Sequence, residues 1–374
     1  MSEIIPVRLA VQQRVLPAYR AAFFDLLAQS CANGMSVFYG DPRPDEALGA
    51  QGELKVAERG YAENLYLGSG RLYACFQRGM INWLEAWQPD VLIVEANPRY
   101  LSTPRAVLWM KAHGRPVIGW GLGAPPAGSF WRRILRERFL RQFDALITYS
   151  KAGFEQYQRA GFRGDRIFIA PNAVAPRPAG SCPERPDSFR GRPMVLYVGR
   201  LQPRKRVDML IRACARLPES IRPRLVVVGD GPERAALEAL AKEVYPETEF
   251  PGEKRGGDLA PIWAEADLFV LPGTGGLAVQ EAMAAGLPVI VAEADGTQVD
   301  LVREENGWRL RPGDEEHLVV TLQEALADPA RLRRMGRASY RIVDQEINLE
   351  AMVNGFFQAM KSVWLGNDSE NPRA

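Results

Sequence analysis

The sequence predicts an α/β protein of two domains, each built on a parallel sheet. Short apolar runs alternate with amphipathic helical patterns along the chain, as in parallel sheets with crossover helices. The series is interrupted once, at residues 177–192, by a segment rich in proline, glycine and charge. A length of 374 residues also suits two domains better than one. We therefore expect two Rossmann-like domains, residues 1–176 and 193–348, that face a central cleft and are joined by a linker.

The elements of the first domain follow from these apolar runs. Strands are predicted at Pro6–Val11, Met35–Tyr39, Val91–Glu95, Pro116–Gly119 and Ala145–Tyr149, and helices at Arg20–Gln29 and Gly79–Ala86.

The second domain repeats the pattern. Strands are predicted at Met194–Val198, Leu225–Gly229, Leu268–Leu271 and Pro288–Ala292, helices at Val207–Arg216, Pro232–Val244 and Gly276–Ala285, and a helical tail from His317 onwards. Ligands of such sheets bind outside the carboxyl ends of the strands. The loops after Val198, Gly229 and Leu271 are therefore the places where we expect a site.

Composition excludes several classes of function. The net charge of +2 argues neither for nor against a nucleic-acid partner, and we expect none. The four cysteines are scattered and only two histidines exist, which disfavours a zinc site or a Ser-His-Asp triad and fits a reducing compartment. The first 30 residues lack a signal-peptide core, and no run of 18 apolar residues occurs. We expect a cytoplasmic protein without a metal site.

Two loops of the second domain are suited to bind an anion. The loop after Val198 begins with Gly199 and carries four cations, Arg200, Arg204, Lys205 and Arg206. At a strand end, fixed cations of this kind bind a diphosphate. The alternative is a solvated basic turn.

The loop after Leu271 exposes backbone amides at the start of a helix. Its glycines are Gly273, Gly275 and Gly276, and a helix start with bare amides attracts anions. Glu281 follows inside an apolar stretch of that helix, where a carboxylate needs a partner such as a ribose diol. The alternative is an ordinary glycine turn with an exposed glutamate.

Taken in order, these motifs resemble a known family. GR-x4-K, GDGPE and GL-x3-EAMA-x-G-PVI follow three successive strands. This set is similar to the retaining glycosyltransferase family 4, also called the glycosyl transferases group 1, which has the GT-B fold. The similarity runs from about Arg141 to Met360 and includes the segment DALITYSKAGF at the end of the first domain.

The resemblance implies a nucleotide-diphosphate sugar as donor, a UDP-sugar above others, and no other cofactor. Arg200 and Lys205 would hold the diphosphate and drive catalysis in place of a metal ion. A helix at about residues 349–365 would cross back onto the first domain, which would bind the acceptor. The full set of implied donor contacts is Gly199, Arg200, Lys205, Gly252, Glu253, Lys254, Gly273, Thr274, Gly275, Gly276, Leu277 and Glu281.

Two features depart from the family pattern. The family has two glutamates eight positions apart; Glu281 matches the second, but Gly273 stands at the first, which is expected to enlarge the sugar pocket. Many relatives also place a histidine after the strand that corresponds to Pro116–Gly119, where this chain has none. The alternative function is therefore a catalytically degenerate nucleotide-sugar binder or regulatory partner.

The acceptor side carries weaker signals. Arg20, Glu95, Asn97 and Arg99 follow strands of the first domain and are expected to contact an acceptor, unless they serve ordinary loop and capping roles. The segment Ser129–Asp144 mixes arginines with large apolar residues at helical spacing. Such a helix lies on anionic lipid at the inner face of the cell membrane or packs on its own sheet. The first case favours a glycan, glycolipid or other cell-envelope acceptor.

Overall fold

In the computed structural model the chain forms two compact units, Met1–Val174 together with Leu349–Ala374, and Ala175–Asn348. The structure describes residues 3–43, 46, 52–68, 70, 73–124, 130–254, 256–275, 277–293 and 298–368. Within these ranges no helix is both long and apolar enough to cross a bilayer.

The first unit is built on a parallel sheet of seven strands in the order β3-β2-β1-β6-β7-β8-β9. A separate antiparallel hairpin, β4–β5, follows the edge strand β3. The elements are β1 (Leu9–Gln12), α1 (Ala18–Ala28), β2 (Met35–Tyr39), β3 (Glu58–Tyr61), β4 (Glu63–Leu67), β5 (Ala74–Arg78), α2 (Met80–Trp87), β6 (Val91–Glu95), α3 (Thr103–Ala112), β7 (Val117–Gly121), α4 (Phe130–Leu140), β8 (Ala145–Thr148), α5 (Lys151–Arg159) and β9 (Ile167–Ile169).

The second unit is built on a parallel sheet of six strands in the order β12-β11-β10-β13-β14-β15. A last helix, α13, returns to the first unit. The elements are β10 (Met194–Val198), α6 (Val207–Ala215), β11 (Arg224–Val228), α7 (Arg234–Val244), β12 (Glu249–Gly252), α8 (Ala260–Glu265), β13 (Leu268–Leu271), α9 (Leu277–Ala284), β14 (Val289–Ala292), α10 (Gln298–Leu301), β15 (Gly307–Leu310), α11 (Glu315–Ala327), α12 (Pro329–Gln345) and α13 (Leu349–Asp368).

The central strands are buried on both faces, which explains their continuous apolar runs. Every residue of β1, β13 and β14 is buried. Helix α13 closes the core of the first unit, where Phe356 packs edge-on against Phe23 of α1 and Trp120 of β7. The predicted α/β class is confirmed.

The predicted central strands are present, with ends shifted by up to three residues. The sequence missed strands that lie at sheet edges or in the hairpin, β3, β4, β5, β9, β12 and β15. β3 shows the reason, since three of its four residues are exposed and its sequence ERGY has no apolar run.

Residues 177–192 are not a free linker between the units. They belong to the second unit, because Arg185 and Pro186 attach the segment to it. The Arg185 guanidinium donates hydrogen bonds of 2.8–2.9 Å to the carbonyls of Trp263, Ala264, Ala266 and Ala285. The carbonyl of Pro186 accepts a bond of 2.7 Å from Arg333 on α12. Carbonyls at helix ends lack partners within the helix, and a guanidinium satisfies several of them at once.

Candidate functional site

Three loops at the carboxyl ends of β10, β11 and β12 are joined through their backbones. Gly199 donates its N–H to the carbonyl of Val228 at 3.0 Å, and Gly229 donates to Gly252 at 3.0 Å. The approach is close, because a Cβ at Gly229 would lie 2.0 Å from the carbonyl oxygen of Gly199. The glycines that follow these strands therefore let the loops form one continuous edge.

The cations of the first loop differ in their partners. Arg206 forms an ion pair with Asp208 at 3.4 Å. The exposed Arg204 donates to two neutral oxygens, those of Gln202 at 3.0 Å and Thr274 at 3.4 Å. Among the residues that the structure describes, no carboxylate pairs with Arg200, Arg204 or Lys205. Three positive charges at the strand ends are therefore available to an anionic ligand.

The glycine turn after β13 is hydrogen-bonded to the loop after β10 and packs closely against it. Thr274 donates its N–H to the carbonyl of Arg204 at 3.0 Å. A Cβ at Gly273 would lie 2.3 Å from the carbonyl oxygen of Arg204 and 2.5 Å from that of Lys205. The absence of the first glutamate was expected to enlarge the pocket, and this expectation is wrong at position 273 itself. The backbone of the cationic loop fills the space that a side chain would need.

Lys205 lies against the same turn. A Cβ at Gly275 would lie 2.2 Å from the Lys205 Nζ, so glycine at this position lets the ammonium group approach the turn, and a side chain there would require the end of the lysine to shift. Helix α9 begins two residues later, at Leu277, whose side chain lies outside the described part of the chain, as does Gly276. Burial, and then the charge of Arg204, lower the pKa of Lys205 to about 8.

The affinity for a nucleoside diphosphate is therefore expected to depend on pH. Lys205 is charged below its pKa and loses its charge as the pH rises through about 8, whereas a bound diphosphate keeps it protonated. We expect the affinity for UDP or GDP to fall about tenfold between pH 7 and pH 9. Isothermal titration calorimetry across this range checks it. The Lys205→Met variant should show a flat profile, and an unchanged slope in that variant contradicts the assignment.

The remaining predicted donor residues lie on the same edge of the sheet or on α9. Gly252 ends β12 with a φ of 80°, followed by the exposed Glu253 and the half-buried Lys254. Glu281 lies in the second turn of α9. Its side chain is exposed at the surface, yet partial burial of the carboxyl raises its pKa, and no described residue bonds to it. A carboxylate in this situation is available to hydroxyl groups of a ligand.

Arg20 has a different role from the predicted one. Its side chain is only 6 % exposed, and its guanidinium lies 5.3–5.6 Å from the rings of Tyr19, Trp120 and Tyr149. It also donates hydrogen bonds to Asn172 and to the sulfur of Met352. A guanidinium enclosed in this way cannot reach an acceptor. Arg20 instead fastens α1 to the sheet and to α13.

The other three predicted acceptor residues lie at the end of β6 or in the loop that follows it. The Asn97 side chain accepts a hydrogen bond from the N–H of Arg99 at 3.1 Å, which shapes the turn, and Arg99 is exposed. Glu95 accepts from the N–H of Arg14 at 2.7 Å. Burial raises the pKa of Glu95 to about 7, although Arg14 and Arg20 oppose the shift.

Sequence reasoning missed Arg14. This residue lies two positions after the end of β1, in the run Gln12-Gln13-Arg14, and polar residues after a buried strand are the signal that identified the loops of the second unit. Among described residues, no group of three or more histidine, cysteine or acidic side chains is placed to hold a metal ion. Metal independence stays a prediction.

The segment that matches a known family lies within the second unit of the chain. The family model for Glycosyl transferases group 1 matches residues 183–342. A GDP-mannose-dependent alpha-mannosyltransferase of Mycolicibacterium smegmatis is 33 % identical over 243 residues, 60 % of each chain. The sulfoquinovosyl transferase SQD2 of Arabidopsis thaliana is 35 % identical over 155 residues, 40 % of this chain and 29 % of its own length. This chain thus matches at most 60 % of the length of these two relatives.

The fold also matches solved structures over nearly the whole chain. The Anabaena protein HepE, crystallised with UDP, superimposes with a TM-score of 0.67 over 96 % of this chain and all of its own, at 17 % identity. At this identity the likeness shows the fold alone, which is GT-B. The chain thus has this fold, and its residues 183–342 match the family Glycosyl transferases group 1.

Proposed function

We propose that this protein is a retaining glycosyltransferase that moves a sugar from a nucleoside-diphosphate donor to a glycan, glycolipid or other cell-envelope acceptor. One observation carries the proposal. Among the described residues, Arg200, Arg204 and Lys205 have no carboxylate partner at the carboxyl ends of the strands, and Lys205 lies against the glycine turn before α9. Diphosphate is the ligand that fits several cations beside the start of a helix.

The same arrangement supports transfer as well as binding. Negative charge develops on the diphosphate as the sugar bond breaks, and preorganised cations stabilise that charge more than they stabilise the ground state. Arg200 and Lys205 are assigned this role. In retaining transfer, the departing diphosphate oxygen takes the proton of the acceptor hydroxyl on the same face of the sugar. This step needs no histidine and no carboxylate at position 273.

A screen of donors tests this proposal. Ligands that bind only the folded state raise its melting temperature, so UDP, GDP, ADP and dTDP and their common sugar conjugates are compared by thermal shift. GDP-mannose is the first candidate because the mycobacterial relative is named for it, and the UDP-sugars expected from the sequence are next. Product configuration is then read by NMR. A chain that binds no nucleotide lacks the proposed function, and binding without any turnover favours the degenerate binder.

The basic helix α4 supports attachment to an anionic membrane. Its apolar residues do not all pack inward: Trp131 is 72 % and Leu135 66 % exposed, one turn apart. At the end of the helix, Leu140 is buried in the core of the first unit and Phe139 packs against that core. Phe130 and Arg132 have side chains outside the described set. Exposed apolar groups on an arginine-rich helix favour an interface with anionic lipid.

Vesicle binding is therefore expected to depend on these two side chains. The double variant Trp131→Ser/Leu135→Ser should bind vesicles of phosphatidylglycerol and phosphatidylcholine about tenfold more weakly, because it removes two apolar anchors. Cosedimentation measures the partition. Leu108→Ser is the matched control, since Leu108 on α3 is 68 % exposed but lies outside α4. Equal losses in the control, or no loss in the double variant, would contradict membrane attachment through α4.

A further inference from the structure

The loop after β10 contains a residue whose backbone conformation is unfavourable for most side chains. Arg206 has a φ of 53° and a ψ of 38°, in the left-handed region. The Cβ atom crowds the backbone in this region, so residues other than glycine are uncommon there. Among the described residues, Gln88 with a φ of 51° is the other non-glycine residue with a positive φ. Such strain persists where the surrounding structure enforces it, and it is concentrated at functional sites.

Arg206 joins the turn that carries Lys205 to helix α6. This turn, Pro203–Lys205, is a single turn of 3₁₀-helix. The Arg206 N–H donates to the carbonyl of Pro203 at 3.2 Å, and the Arg206 carbonyl accepts from the N–H of Met209 at 3.1 Å. Arg206 therefore ends the turn and begins the hydrogen bonding of α6. Its φ and ψ set the direction in which the turn leaves the helix.

The segments on both sides of Arg206 are anchored. In the first turn of α6, Val207 and Met209 are buried in the core of the second unit. On the other side, the carbonyl of Arg204 accepts from the N–H of Thr274 at 3.0 Å, which attaches the turn to the glycine turn after β13. The residue between two anchored segments is thus held in its left-handed conformation.

The Arg206 side chain does not account for the strain. Its guanidinium pairs with Asp208 at 3.4 Å, and the two side chains are 40 % and 34 % exposed. It also lies near Gly313, where a Cβ would be 3.6 Å from the Arg206 Nη1. Ion pairs with this exposure contribute little to stability. The contribution of position 206 is therefore its backbone conformation rather than its charge.

We propose that Arg206 is a positioning residue for the donor site, and this rests on the proposed function. Its left-handed backbone directs the Lys205 ammonium towards the glycine turn, where a Cβ at Gly275 would lie 2.2 Å from the Nζ. Because α6 is fixed in the core, a right-handed or extended residue at 206 makes the turn leave the helix in another direction. Lys205 and Arg204 then lie away from the start of α9, and a diphosphate loses two of its cations.

Three substitutions that remove the same guanidinium separate the backbone from the charge. Glycine adopts the left-handed conformation freely, alanine at a cost, and the β-branched valine most rarely. Arg206→Gly should bind UDP or GDP within about twofold of the parent chain. Arg206→Val should bind about tenfold more weakly, and its transfer rate should fall about 100-fold, because its cations are misplaced. Arg206→Ala should lie between the two. Isothermal titration calorimetry and initial rates give these quantities.

The pH dependence of nucleotide binding distinguishes a positioning role from a structural one. Burial and then the charge of Arg204 lower the pKa of Lys205 to about 8, so the parent affinity should fall about tenfold between pH 7 and pH 9. In Arg206→Val the ammonium moves into solvent and stays charged through this range, so the slope should flatten. Arg206→Gly should keep the slope. A residue with only a structural role would change the melting temperature and leave the slope as it is.

Gln88→Gly and Gln88→Val are the matched controls, because Gln88 has the same backbone conformation at the end of α2 in the first unit. Gln88→Val should lower the melting temperature and leave the nucleotide affinity and its pH slope unchanged. A flattened slope in Gln88→Val would show that the effect is not particular to position 206, which contradicts the inference.

The comparison of Arg206→Gly with Arg206→Val decides the matter. Equal affinity and slope in the two variants overturn the inference, and so does an equal loss in both, which assigns the effect to the guanidinium. If Arg206→Val does not fold, Arg206→Ala replaces it in the same comparison. In each of these cases nucleotide binding by the parent chain leaves the proposed function standing. A parent chain that binds no nucleotide overturns the proposed function and this inference with it.

Discussion

Replacement of Lys205 by methionine should lower the rate of sugar transfer by about 100- to 1000-fold, the usual effect of removing one preorganised charge from a leaving group. Methionine keeps the length and apolar stem of lysine and removes the charge. The ammonium of Lys205 has no carboxylate partner in the described part of the chain, and burial lowers its pKa to about 8. Its charge therefore contributes nothing favourable to folding. The free energy of unfolding of the variant should be unchanged or higher.

A loss of activity without a loss in the free energy of unfolding distinguishes a binding role of Lys205 from a structural one. Chemical denaturation gives the free energy of unfolding, and initial rates with the donor found by thermal shift give the activity. Lys242→Met is the matched control, because Lys242 is exposed in the last turn of α7 in the same unit. It should change neither quantity. A Lys205→Met enzyme that retains its rate, or loses rate only in proportion to stability, rules out the assigned role.

The positions of the cationic loop and the glycine turn were predictable because their signals are local, and their role as a donor site stays a prediction. A buried strand, a glycine and a cation occur within a few residues of one another, and parallel topology then places successive loops on one edge. Residues 199–205 and 273–275 were located in this way. The two core sheets were also predictable, since strands buried on both faces leave continuous apolar runs.

The remaining features depend on contacts that no local pattern records. Arg20 was expected to contact an acceptor because it follows a strand. It lies on helix α1, where its side chain points into the core and three aromatic rings surround it. The partners of Arg14 lie 32, 52 and 81 positions away in the sequence. Such sites become visible only when the fold has brought their members together.

Position 273 shows why a family comparison alone misleads here. From sequence, glycine in place of a glutamate indicates a missing carboxylate, and restoring it is the obvious experiment. In the structure the carbonyl oxygens of Arg204 and Lys205 occupy the space where a side chain would begin. The loop that carries Lys205 and the glycine turn have packed together, so the glutamate cannot be restored without moving the cations.

Gly273→Ala should therefore reduce transfer by about 100-fold, because a single methyl group displaces the Lys205 loop and misplaced catalytic groups cost about that much. Overpacking of this kind should also lower the free energy of unfolding by about 1–3 kcal/mol. Gly273→Glu should be at least as inactive and regain nothing.

Gly257→Ala is the matched control, since a Cβ at Gly257 meets no atom within 4 Å. It should keep full activity and stability. Donor titration of both variants by calorimetry, with melting curves, distinguishes the possibilities. If Gly273→Glu is more active than the parent chain, the loop yields to a side chain and the missing carboxylate limits catalysis. If both variants at position 273 are inactive and bind donor weakly, the close packing of the two loops is what sets the position of Lys205 against the diphosphate.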